Sequence, residues 1–202
     1  MCKPVVSFLS SGRGMLFSSV ARRIQAGKIR AQLGILISDS RDAGALLVAQ
    51  ELGMESFFID PGDFKDKRDY DKSFYKLFKK VNTDLVVCAA YLRILSPFFV
   101  KRFRNRIINI HPSLLPSFPG MQSQRRAMEY GVTITGCTSH FIDEGIDTGP
   151  IILQSPVQIL DTDSIDTLSM RILKEEYKVL TESVRLFCEG KLRVVGRRVI
   201  VR

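Results

Sequence analysis

Through the first 110 residues, short runs of consecutive apolar residues alternate with stretches in which apolar residues recur every three or four positions. The runs Pro4 to Ser10, Gln32 to Ser38, Ser56 to Ile59, Asp84 to Ala89 and Ile107 to Ile110 are near-continuously apolar, as strands buried on both faces of a parallel sheet must be. Between them, Met15 to Ala26, Ala43 to Leu52, Asp69 to Val81 and Pro97 to Arg104 carry the spacing of helices with one apolar face. This rhythm predicts an α/β fold, an open, twisted, mostly parallel Rossmann-like sheet with helices on both faces and right-handed crossovers. Ligands then belong at the carboxyl ends of the strands, near a switch in strand order.

After His111 the pattern changes. A proline-rich loop leads to a short helix near Gln124 to Glu129 and two antiparallel strands, Thr135 to Ile142 and Ile151 to Val157, flanking the glycine-rich loop Asp143 to Gly149. Asp163 or Ser164 can cap a long helix that ends at Glu189-Gly190, and the tail LRVVGRRVIV reads as a terminal strand or hairpin. With no repeat and no long linker, one domain over 1–202 is expected, with 1–110 as a Rossmann-like half and 111–202 completing the site.

The chain has 202 residues, enough to bury roughly 70% of the unfolded surface. Its apolar runs fall far short of the ~20 residues a membrane span needs. Met1 to Ser10 lacks a small-residue cleavage site and reads as a strand, not a signal peptide, so a cytoplasmic protein is expected. The four cysteines form no C-x-x-C pair and no histidine stands at zinc spacing, which argues against a disulfide framework and a structural metal. The net charge of +9 comes largely from six basic residues and no acid between Pro97 and Arg126, and five more basic residues from Lys191 to Arg202. Such a surface favours anionic partners, whether phosphates, polyglutamate chains or nucleic acid; a solvated basic face is the plainer alternative.

Three segments carry candidate chemistry. Ser10-Ser11-Gly12-Arg13-Gly14 joins a strand to a helix, so its glycines and the helix N-terminus can face an anion; it lacks the third glycine of a dinucleotide fingerprint and the Lys-Ser/Thr of a P-loop. In Asn109 to Pro116, residues two apart share a face, so Asn109 and His111 can point into one cleft and together stabilise an oxyanion and manage a proton. Pro112 and Pro116 stiffen this loop, and Leu115-Pro116 suits a cis bond. In Ser139 to Pro150, the carboxylates Asp143, Glu144 and Asp147 lie in a loop bracketed by Gly145 and Gly149. One of them beside His111 would favour the charged imidazole. The loop lacks the oxygen-ligand pattern of an EF-hand, and His140, on the strand, reads as structural.

Together these residues resemble the folate-dependent formyltransferases, and among them the branch that formylates glycinamide ribonucleotide in purine biosynthesis. The resemblance rests on the Ser-Gly-x-Gly loop, Tyr91-Leu92-Arg93-Ile94-Leu95-Ser96, Asn109 to Pro116 followed by Phe118-Pro119-Gly120, and His140 to Gln154, almost the whole chain. It implies attack of a substrate amine on the formyl carbon of 10-formyltetrahydrofolate as co-substrate, with no metal. Asn109 and protonated His111 would stabilise the oxyanion, and Asp147 would keep the imidazole charged and position a proton-shuttling water. The folate would lie against Leu92, Arg93, Ile94, Leu95 and Asn109 and the backbone of Asp143 and Glu144, with Lys67 near its glutamate tail. The acceptor would meet Gly14, Met15 and Leu16 at its phosphate and Glu176 at its glycinamide end. The expected partners are the two small-molecule substrates, with neither membrane nor nucleic acid, in a monomer or homodimer.

Two departures fall on the acceptor side. Met15-Leu16 stands where the family usually has Ser-Asn, and Gln122-Ser123-Gln124 replaces its His-x-His. They leave a sugar amine open as acceptor. Methionyl-tRNA formyltransferase and formyltetrahydrofolate hydrolase share the core, but each carries a further domain that 202 residues do not hold; a non-catalytic, basic RNA-binding or scaffold descendant is the alternative outside catalysis.

Overall fold

A computed structural model describes residues 2–202; Met1, at the head of the first strand stretch, lies outside the described residues. Five strands, β1 (Val5–Leu9), β2 (Gln32–Ser38), β3 (Ser56–Phe58), β4 (Leu85–Cys88) and β5 (Ile107–His111), pair in parallel. β6 (Ile134–Phe141) turns antiparallel to β5 and β7 (Ile151–Gln158) antiparallel to β6. The tail is a hairpin of β8 (Leu192–Val195) and β9 (Arg198–Val201), with β9 beside β7. The nine-stranded order is β3-β2-β1-β4-β5-β6-β7-β9-β8.

The helices are α1 (Met15–Gln25), α2 (Gly44–Glu51), α3 (Lys67–Lys80), α4 (Pro97–Arg102), α5 (Ser123–Tyr130) and α6 (Ile165–Cys188). The mixed α/β expectation thus stands, with element ends moved by one or two residues. A single 3₁₀ turn at Pro61–Asp63 was not foreseen; Asp60 caps it by accepting from the Gly62 N–H. Ser164, rather than Asp163, caps α6, in a reciprocal pair with Thr167. Asp163 instead accepts from Arg171 and from the Leu160 N–H.

The period-two geometry of the strands explains their unbroken apolar runs. On β2, Leu36 enters a core with Phe8, Phe17 and Leu180 beneath α1, α2 and α6, while Ile35 and Ile37 enter a second core with Phe74, Phe78 and Phe99 beneath α3 and α4. The buried residues of β2 therefore meet a helix layer on each face of the sheet. The second core is aromatic: Phe74 lies edge-on to Tyr70, Phe78 and Phe99 with ring centroids 5.0–5.9 Å apart.

Phe74 is fully buried at the centre of this cluster. Phe74→Ala is expected to cost about 3–5 kcal/mol of stability through lost burial and the cavity left behind. The check is urea unfolding, with a lowered midpoint at unchanged slope; a loss under ~1 kcal/mol would contradict this packing.

Candidate active site

Strand order reverses between β1 and β4, so the loops leaving these neighbours diverge and open a crevice at the carboxyl ends. The loops are tied across the switch: Ser10 Oγ donates to the Ala89 carbonyl at 2.8 Å, and the Leu92 N–H donates to Ser11 Oγ at 3.0 Å. Gly14 starts α1 at φ +83°, and a Cβ there would stand 2.7 Å from Ala45 Cα, so only glycine lets α1 begin this close to α2. The crevice deepens into a cavity of about 720 Å³.

β5 and β6 carry the polar floor. Asn109 lies directly across from His140 in the antiparallel register, and their side chains meet, Asn109 Nδ2 to His140 Nε2 at 3.2 Å. Asp147, at φ +54°, turns its carboxylate back toward the sheet, with Oδ2 3.2 Å from His111 Nδ1 and Oδ1 3.6 Å from His140 Nε2. The Gly120 N–H donates to Asp147 Oδ2 at 2.8 Å. The other nitrogen of His111, Nε2, lies 3.0 Å from the Phe118 carbonyl. Both His111 nitrogens thus face acceptors, and the ring fills both bonds only as an imidazolium. His140 Nδ1 faces the Phe141 carbonyl at 3.0 Å and so carries a proton. In the neutral ring its Nε2 accepts from Asn109 and fixes the carboxamide; in the imidazolium the same nitrogen faces Asp147.

Burial pushes the Asp147 carboxyl up, but the His140 imidazole, the Gly120 N–H and the His111 imidazole outweigh it and hold the group below the usual carboxylate range. The two rings, the carboxamide and the carboxylate form one contact cluster. It can hold a positive charge beside an oxyanion and exchange protons with a bound molecule.

The cavity gathers most of the residues the sequence singled out. Leu92, Arg93, Ile94, Leu95, Asp143, Asn109, His111, Asp147, Gly14, Met15, Leu16 and Glu176 all line it. Two residues fall outside the lining. Lys67 sits in the first turn of α3, and Glu144 is exposed and pairs with Lys101 at 3.6 Å. His140, read from the sequence as structural, contacts both Asn109 and Asp147. Sequence reasoning also passed over Ser169 and Leu173, which line the cavity from α6. Their positions follow from the docking of α6 and carry no local motif. Among the described residues no cluster of three metal-ligating side chains occurs, and no helix is long and apolar enough to cross a membrane.

This fold and site define a class. The chain belongs to the formyl transferase family, whose sequence profile matches residues 5–184. It is similar, more particularly, to the phosphoribosylglycinamide formyltransferase of Haemophilus influenzae, 33% identical over 189 residues that span 94% of this chain and 89% of that protein. The solved glycinamide ribonucleotide transformylase 1 of Symbiobacterium toebii superposes with a TM-score of 0.96 at 39% identity, covering 98% of this chain and 94% of that one. The trifunctional purine biosynthetic protein adenosine-3 of Drosophila melanogaster is 38% identical over 187 residues, 92% of this chain; the match spans only 14% of that longer protein.

Glu176, on α6, is 6% exposed, and burial pushes its carboxyl up to about 7. The folded chain therefore keeps a proton that the unfolded chain, with an ordinary carboxyl near 4.5, releases between those values. The stabilisation is fully present below about pH 4.5 and is lost as pH rises through 7, roughly 3 kcal/mol in all. Glu176→Gln, which stays neutral, is expected to gain on the wild type by up to that amount between pH 4.5 and 8. Urea unfolding at both ends of the range is the check, and identical pH dependences would place the Glu176 carboxyl in water.

Proposed function

We propose that this chain transfers the formyl group of 10-formyltetrahydrofolate to the amine of glycinamide ribonucleotide, a step of purine biosynthesis, in the cytoplasm. The observation that carries the reading is the Asn109, His111, His140 and Asp147 cluster, open to a cavity that side chains of contrasting chemistry line. Exposed Leu92 and Ile94 offer apolar surface to a flat heterocycle, the pterin of the donor. The α1 N-terminus, Arg13 and the buried Glu176 suit an acceptor with a phosphate and an amine. Relatives that match this chain over most of their own length bear the name phosphoribosylglycinamide formyltransferase, which supports the same acceptor.

The acceptor amine attacks the formyl carbon and the carbonyl π electrons move onto oxygen, giving a tetrahedral intermediate. The Asn109 amide N–H and the positive charge of His111 oppose the developing oxyanion, in a pocket where a preorganised donor costs no reorganisation. Asp147 keeps His111 cationic, and a water held at its carboxylate carries the proton from the attacking nitrogen to N10 of the folate. The C–N10 bond then breaks, leaving a formamide and tetrahydrofolate. An amine nucleophile needs no covalent enzyme intermediate, so the cluster contains no activated serine or cysteine: Cys88 and Cys137 are buried, and burial pushes Cys137 up to about 12.

Met15 and Leu16 offer no side-chain hydrogen bond to a phosphate, so the α1 backbone N–H groups and Arg13 would hold it. The test is spectrophotometric release of the folate product with glycinamide ribonucleotide as acceptor and a control without acceptor. Acceptor-dependent turnover is expected. Donor binding without turnover would redirect the reading to another amine, and donor consumption in the control would mark hydrolysis. His111→Ala is expected to lower kcat by about 10²–10⁴ while thermal unfolding stays near wild type; an unchanged rate would remove His111 from the mechanism.

A further inference from the structure

We propose that Arg197, at the turn of the C-terminal hairpin, is a positioning residue for this site, bracing the Asp147 loop through the Thr148 carbonyl. The proposal rests on the functional reading above and extends it to a part of the chain beyond residue 184, where the family match ends.

The loop between β6 and β7 must hold Asp147 in the left-handed region at φ +54°, which for a residue with a Cβ costs roughly 1–2 kcal/mol. Local bonds shape one side of the loop: Asp143 Oδ1 accepts from the Gly145 N–H at 3.0 Å and from Thr148 Oγ1 at 2.6 Å. The Asp147 carboxylate itself is tied to Gly120 and His111. On the 148–149 peptide, Arg197 Nη2 donates to the Thr148 carbonyl at 2.9 Å. The bond anchors the loop one residue past Asp147 and so limits displacement of the backbone that carries the carboxylate. The topology brings the arginine there. β9 lies parallel to β7 with Arg198 in register with Ile151, and the turn at Gly196, φ +59°, sets Arg197 beside the start of β7.

An exposed hydrogen bond of this kind contributes little to global stability. Its effect falls on geometry, and reacting groups are sensitive to displacements of an ångström or less. Arg197→Ala is therefore expected to lower kcat about 3–10-fold, leave KM for both substrates within twofold, and leave the thermal midpoint unchanged. Arg197→Lys keeps one donor on a long stem and is expected to recover at least half of the loss.

A second readout needs no turnover. The chain has two histidines, and both contact Asp147. Side-chain imidazole ¹⁵N signals therefore report this cluster alone, and in Arg197→Ala both are expected to shift, with the lysine variant returning toward wild type. Unchanged imidazole signals and unchanged kcat would overturn the proposal. So would a lowered thermal midpoint with wild-type signals, which would make Arg197 a stabiliser of the hairpin only. Should the wild type prove inactive toward glycinamide ribonucleotide, the functional reading fails while the imidazole signals still decide whether Arg197 positions Asp147.

Discussion

The site depends on one register. β5 is the last strand of the parallel series and pairs antiparallel with β6, so that Asn109 faces His140 and His111 faces Thr138. Because side chains alternate along a strand, a slip of one residue would send Asn109 and His111 to the opposite face and separate them from Asp147. Several bonds hold this register from outside the ladder. Thr138 Oγ1 donates to the Ser113 carbonyl at 2.7 Å and accepts from the Leu115 N–H at 3.0 Å, while Gln154 reaches both Thr138 and the Leu115 carbonyl. The proline-rich loop after His111 is thus part of the sheet's alignment as well as the cavity's rim.

The layers on either side serve that alignment differently. The aromatic core beneath α3 and α4 fixes β2 together with β1 and β4, and the carboxyl ends of the latter two form the crevice. The other core brings α6 across the sheet, and with it Glu176, which no local feature of the chain would place within reach of the α1 N-terminus. Ser139 Oγ and Ser183 Oγ, 2.6 Å apart, pin α6 to β6 in the interior. The α6 wall of the cavity and its polar floor are therefore one packed unit.

Much of this was legible in the sequence. The parallel half follows from apolar runs and helical spacing, which report burial directly. Gly14, Asn109 and His111 stand out because their chemistry and the local geometry coincide within a few residues. Less was legible where long-range pairing decides the outcome. His140 looked structural because a histidine on a buried strand has no distinguishing local pattern; its contact with Asn109 exists only through the antiparallel register. Ser169 and Leu173 face the cavity only because α6 docks across β6. Lys67, chosen by resemblance, and Glu144 lie outside the cavity lining; Lys67 opens α3 and Glu144 is exposed and paired with Lys101.

Glu176 lines the cavity with a carboxyl that burial pushes up to about 7, so its charge changes near neutrality. A ligand entering that cavity alters the electrostatics of this carboxyl. Protons taken up or released near pH 7 on binding are then a measure of the cavity's occupancy and charge, and the heat of binding will depend on the ionisation enthalpy of the buffer that supplies them.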